Sequence, residues 1–260
     1  MILRFWVVVL LFLILIDQVL AENIYSLETK NQAIFLFPST ILLQYSLWNT
    51  MVEYDLDEND LSDLSAEYIN SFDKIATNFY SESSAKVSDY LLYSCLVAPF
   101  FLNLNSHIAC DNKEVNLLLL ESYFITYSIV SFSKSVSKRK RPLAYNNQLD
   151  ISIRKQKDNR YSFFSGHTAL AFAGAISTAK IYADFHPKEN TFWFYSASVA
   201  TASTVGLLRI RAGKHFPSDV IVGAAVGTAT PLLLTEIQKN TKNEKSNANS
   251  SMFYITINLN

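Results

Sequence analysis

Only four histidines occur in the 260 residues, and two of them stand in short polar clusters: Phe164-Ser165-Gly166-His167-Thr168 and Lys214-His215-Phe216-Pro217-Ser218-Asp219. A histidine four residues before an aspartate, with Pro217 and Ser218 turning the chain between them, can give one ring nitrogen to that carboxylate. This fixes the tautomer and frees the other nitrogen to act as nucleophile or base. The plainer alternative is a helix N-terminus with an imidazole nearby. Ser165, Gly166 and His167 open an apolar segment, where free N–H groups and the positive end of a helix dipole attract anions and a glycine lets an anion approach closely. A serine cap with a glycine in the first turn is the competing explanation. A third cluster, from Lys134 through Lys138, Arg139, Lys140 and Arg141 to Pro142, is joined by Arg209 and Arg211 just ahead of His215. So many cations in so few positions mark either a solvated or positive-inside loop or a phosphate clamp. The clamp is the better reading, because the same segments bring both histidines and because arginine grips two phosphate oxygens at once.

Helices must carry these clusters. Five apolar segments, Tyr90 to Leu104, Val115 to Phe132, Thr168 to Ala183, Thr191 to Leu208 and Val220 to Leu234, predict a five-helix core, with Asp111, Asn112, Ser165 and Ser218 as capping residues. Ahead of them, Ala33 to Met51 is apolar apart from Pro38, and residues 53–60 are acidic. Leu61, Leu64, Ala66, Ile69, Phe72, Ile75, Ala76 and Phe79 then recur at the spacing of one amphipathic helix. With half the residues apolar, 18 Phe, 14 Tyr and only 6 Gly and 6 Pro, the expected fold is all-α: a helical bundle, membrane-embedded or membrane-associated. The segments are about long enough to span a bilayer, but Glu121, Lys180 and Asp219 interrupt them, so a soluble bundle fits the pattern equally well.

Net charge is −1, which gives no overall field for nucleic acid. Residues 1–21 combine Arg4 with an apolar run from Phe5 to Ile16 and the small residues Val19 and Ala21, as in a signal peptide or a retained N-terminal anchor. Either way the expectation is export. Cys95 and Cys110 are expected to be unlinked thiols, and no Cys/His spacing suggests a metal site or a cofactor. Residues 252–260 alternate like a lone strand behind a polar tail.

Together the three clusters resemble the signature of the type 2 phosphatidic acid phosphatase and vanadium haloperoxidase superfamily. Lys134, six residues, Arg141 and Pro142 match its first part, Ser165-Gly166-His167 the second, and Arg209, five residues, His215, three residues and Asp219 the third. Phe164 stands where the second part usually has Pro, and Leu208 where the third usually has Ser. The resemblance covers about Val87 to Glu236. It implies a metal-independent phosphatase and leaves the ends unexplained; the chain is read as a core at 86–238 with a helical extension at 22–85 and a polar tail at 239–260. His215 would attack phosphorus to form a phosphohistidine, Asp219 would orient it, and His167 would protonate the leaving oxygen. Lys134, Arg141, Ser165, Gly166 and Arg209 would hold the phosphate. The implied substrate is a phosphorylated lipid, such as phosphatidic acid or an isoprenyl diphosphate, met at a membrane with the active site on the periplasmic or extracellular side. Soluble nonspecific acid phosphatases, vanadate-dependent haloperoxidases and an idle membrane scaffold are the alternatives. His107 and His186 match no part of the signature and are expected in solvent-facing loops.

Overall fold

A computed structural model describes residues 24–27, 29–50, 56–62 and 64–239. The leader reading at 1–21 and the strand reading at 252–260 lie outside them. Each of the five apolar segments forms a helix, and the apolar stretch from Ala33 supplies a sixth, described to Thr50. The long helices are α1 (Thr29–Thr50), α2 (Glu82–Val97), α3 (Asn112–Ser137), α4 (Gly166–Phe185), α5 (Phe192–Arg211) and α6 (Pro217–Gln238). No strand occurs among the described residues, where a single antiparallel bridge joins Tyr25 to Lys239. The fold is all-α.

Most of α4 is buried, from Gly166 to Ile181. It sits at the centre, packed against α2, α3, α5 and α6. Its alanine-rich sequence permits this, since small side chains let four neighbours approach. Gly227 of α6 illustrates the tolerance: a Cβ there would collide with the backbone carbonyl of Ala169. The α4–α5 and α5–α6 connections are short, so successive helices run antiparallel. The start of α4, the end of α5 and the start of α6 therefore meet at one end of the bundle, with the end of α3 and the start of α2. α1 lies along α3, where Ser46 Oγ donates to the Ser131 carbonyl at 2.8 Å.

The amphipathic helix expected over 61–79 does not form. That stretch breaks into short turns, because Ser65 and Asn70 side chains capture the backbone N–H groups of Glu67 and Asp73, at 3.2 and 2.9 Å, and start new turns. Ser218 likewise does not cap α6: the N-cap is Phe216, whose N–H donates to Asp219 Oδ2 at 2.9 Å. Asp111 precedes α3 as expected, but its carboxylate accepts from the N–H of Ile24.

Three helical stretches, Glu82–Leu104, Asn112–Tyr145 and Pro217–Gln238, are long and apolar enough to cross a membrane. Their outward faces carry Tyr93, Val97, Leu120, Tyr127, Ile221 and Leu233, and Phe37 and Trp48 of α1 project outward too. A bundle that is apolar outside as well as inside is a membrane-associated one. Cys95 is buried, Cys110 is exposed and neither is bonded to the other. His186 departs from expectation: it is half-buried and stacked on Tyr182 at 4.2 Å.

Candidate active site

Gly213, with φ +68°, turns the chain out of α5 in a conformation that favours glycine and delivers His215 to the head of α6. His215 is fully buried. Its Nδ1 lies 2.8 Å from the backbone carbonyl of Ser162, which can only accept, so Nδ1 carries the proton and Nε2 presents a lone pair. Nε2 is buried and has no hydrogen-bond partner. Burial, then the charges of Arg141, Lys134, Arg209 and His167, hold the His215 pKa well below the usual imidazole value. The imidazole is therefore neutral at physiological pH.

The orienting group is not the one expected. Asp219 Oδ2 is 3.8 Å from His215 Nδ1, too far for a hydrogen bond. Its carboxylate accepts instead from Ser162 Oγ at 2.5 Å, from the Phe216 N–H and from Arg139 Nη1 at 2.6 Å. At four residues' separation on the first turn of α6, the carboxylate folds back to the helix N-terminus, and Ser162 intervenes. Asp219 fixes the segment that orients His215 rather than the imidazole itself.

The expected phosphate-gripping residues converge on the same spot. Arg209 and Arg141 are both buried, and Arg209 Nε is buried without a partner. Arg141 approaches the Tyr161 carbonyl through Nε at 3.5 Å and Asp158 through Nη2 at 3.7 Å. A Cβ added to Gly166 would lie 3.7 Å from Lys134 Nζ, so the lysine reaches over the first turn of α4. Ser165 caps that helix: its Oγ accepts from the Thr168 N–H at 3.4 Å and pairs with Thr168 Oγ1 at 2.9 Å.

Sequence reading missed three groups. Asp89 of α2 bonds His167 Nε2 at 2.8 Å and lies 3.5 Å from Arg209 Nη1. Arg139 was one cation among several in its cluster. In the structure it binds Asp219, Ser218 and Asp73 and lies 4.1 Å from the centre of the Phe216 ring. Asp73 accepts from the Ser218 N–H at 2.9 Å and from its hydroxyl at 2.7 Å, supplying from a distance the cap that Ser218 was expected to provide. Nothing in the local spacing of Asp73 or Asp89 points to these partners. Among the described residues, no group of three or more His, Cys, Asp or Glu is placed to hold a metal ion.

The family model of the PAP2 superfamily matches residues 116–242. Over these residues the chain is similar to the PAP2 superfamily. The match takes in α4, α5, α6 and nearly all of α3; α2, with Asp89, lies ahead of it. An undecaprenyl-diphosphatase of Sulfolobus acidocaldarius is 27% identical over 126 residues, 48% of this chain and 56% of that protein. A lipid A 1-phosphatase of Porphyromonas gingivalis is 42% identical over 66 residues, 25% of this chain and 14% of that protein. The chain thus spans about half the length of the first relative and a small part of the second. The crystal structure of a transmembrane PAP2 type phosphatidylglycerolphosphate phosphatase from Bacillus subtilis is similar with a TM-score of 0.47 and 18% identity, covering 77% of this chain and 96% of that one.

Proposed function

We propose that the chain is a phosphatase that removes phosphate from a phosphorylated lipid, a monoester or a diphosphate, through a phosphohistidine on His215. The observation that carries this reading is the buried, unpartnered Nε2 of a neutral His215, surrounded by Lys134, Arg141 and Arg209. Such a nitrogen is a nucleophile, and such a ring of cations stabilises the charge that spreads over the equatorial oxygens in phosphoryl transfer. In the first step the Nε2–P bond forms, the P–O bond to the leaving group breaks, and His167 gives that oxygen a proton. In the second, water attacks phosphorus, passes a proton to His167 and breaks the P–N bond. Gly166, where a Cβ would come within 3.0 Å of Val130, lets α3 close on the start of α4 so that Lys134 reaches its N–H groups, with Ser165 and its hydroxyl at the same helix start.

An amphiphilic substrate is supported by the apolar exterior and by the names of the two relatives, an undecaprenyl-diphosphatase and a lipid A 1-phosphatase. A cavity of about 390 Å³ supports it too. Cys95, Ala175, Trp193 and Ala197 line it on α2, α4 and α5, about two turns along the helices from Asp89 and His167 and farther from Arg209. The active site is assigned to the exported side. The cations at 138–141 would argue for the cytoplasmic side, but three of them have local work: Arg139 ties Asp219, Lys140 is 3.7 Å from Asp60, and Arg141 lines the site.

The test is phosphate release by the purified protein in detergent from phosphatidic acid, an isoprenyl diphosphate and glycerol phosphate, with and without chelator. Release from the lipids, insensitive to chelator and abolished by His215→Ala, is expected. Release that survives His215→Ala would overturn the reading.

A further inference from the structure

We infer that Asp89 is a positioning residue for His167, and that the Asp89–His167 pair tunes the site to substrates whose leaving group is an alcohol, a phosphomonoester rather than a diphosphate. The inference rests on the phosphatase reading above and names the substrate class of that site.

The argument begins with the 2.8 Å contact. A carboxylate only accepts, so the His167 nitrogen facing Asp89 Oδ1 carries a proton that stays in that bond. Nε2 is thereby committed. The proton that moves to a leaving group, or comes from water, must travel through Nδ1, which has no hydrogen-bond partner among the described residues. For Nδ1 to donate, the ring must be a cation, and the groups facing it decide how readily it becomes one. Arg209 of α5, Lys134 of α3 and the His215 ring ahead of α6 are cationic or neutral. Asp89 of α2 is the anion in contact with it. Burial, then Arg209, push the His167 pKa down to about 4, with Asp89 acting in the opposite direction. Among the groups that act most strongly on the ring, Asp89 alone favours the acid form.

The chemical consequence falls on the leaving group. An alkoxide is too basic to depart unprotonated, so a phosphomonoester of an aliphatic alcohol depends on the acid form of His167. A phosphate or nitrophenolate departs as a stable anion and depends on it little. Asp89 adds a second bias: it holds negative charge beside Arg209 at 3.5 Å, where an anionic leaving group would be repelled. Its side chain is 43% exposed, so an isosteric change there spares the packed interior.

The experiment compares wild type, Asp89→Asn and Asp89→Glu on three substrates: an alkyl phosphate, nitrophenyl phosphate and an isoprenyl diphosphate. Asp89→Asn is expected to lose at least about tenfold more kcat/KM on the alkyl phosphate than on the other two, part of the about 100-fold or more that a general acid contributes. Asp89→Glu should restore part of that difference. Equal losses on all three substrates, or a gain on all three, would overturn the inference, since a structural or merely obstructing carboxylate has no reason to discriminate by leaving group. Wild-type protein inactive on all three would overturn the phosphatase reading and this one with it.

Discussion

At the residue scale two imidazoles are held by different partners. His215 gives its proton-bearing nitrogen to a backbone carbonyl and stays neutral, whereas His167 gives its own to a carboxylate and can be charged. Their variants should therefore fail differently. His215→Ala should abolish turnover on every substrate. His167→Ala should cost about 100-fold or more on an alkyl phosphate and much less on nitrophenyl phosphate, as general acids do; steady-state kinetics on the two substrates checks this. The pH profile follows from the same asymmetry. The His167 acid form becomes populated as pH falls from neutrality toward about 4, and His215, held well below the usual imidazole value by burial and the nearby cations, enters that range neutral. With an alkyl phosphate, kcat/KM should rise by up to about tenfold per unit as pH falls from neutrality toward 5. A profile rising toward alkaline pH would contradict the assignment. The histidines were legible in the sequence because each sits in a short cluster with its own helix start. The partners were not: Asp89 is 78 residues from His167, and the carbonyl that orients His215 belongs to a residue 53 positions away.

At the element scale, close approach of α4 and α6 sets the distance between the two histidines. Gly227 faces the Ala169 backbone with no room for a side chain. Gly227→Leu should therefore push the helices apart, destabilise the protein by about 1–3 kcal/mol and reduce kcat more than a surface change of equal cost. Thermal unfolding and kinetics on one preparation would check both. A second element-scale contact is sensitive to acid. Burial alone would raise the Asp73 pKa, but hydrogen bonds from Ser218, Arg139 and Asn70 outweigh it and leave it below the usual carboxylate value. A carboxyl depressed on folding stabilises the protein above its unfolded pKa, about 3.9, and loses that contribution as pH falls through its folded value. Asp73→Asn should cost stability at pH 6 and narrow its gap from wild type below about pH 4. The five core helices were legible from their long apolar runs. The 61–79 stretch was misread because apolar spacing says nothing about side chains that compete for backbone N–H groups, as Ser65 and Asn70 do here.

At the scale of the whole molecule, the apolar exterior predicts that the protein stays in the membrane pellet after alkaline carbonate washing and prefers a long-chain substrate to its soluble headgroup. Sidedness is tested with a cysteine at Asn147, after the exposed Cys110 is replaced by serine. An impermeant thiol reagent should label it in intact cells if the site faces outward, and protection would place the site inside. The knot of Asp73, Arg139, Ser218 and Asp219 has one more consequence, for anyone trimming the chain. A fragment beginning at residue 86 would keep every residue of the three signature clusters and Asp89 besides. It would still lack the carboxylate that fastens the head of α6 to the Arg139 loop. Such a fragment should keep the helical circular dichroism of α3 to α6 but show little turnover, and adding back residues 70–85 should raise turnover. Full activity is thus expected to need more of the chain than the segment its motifs mark out.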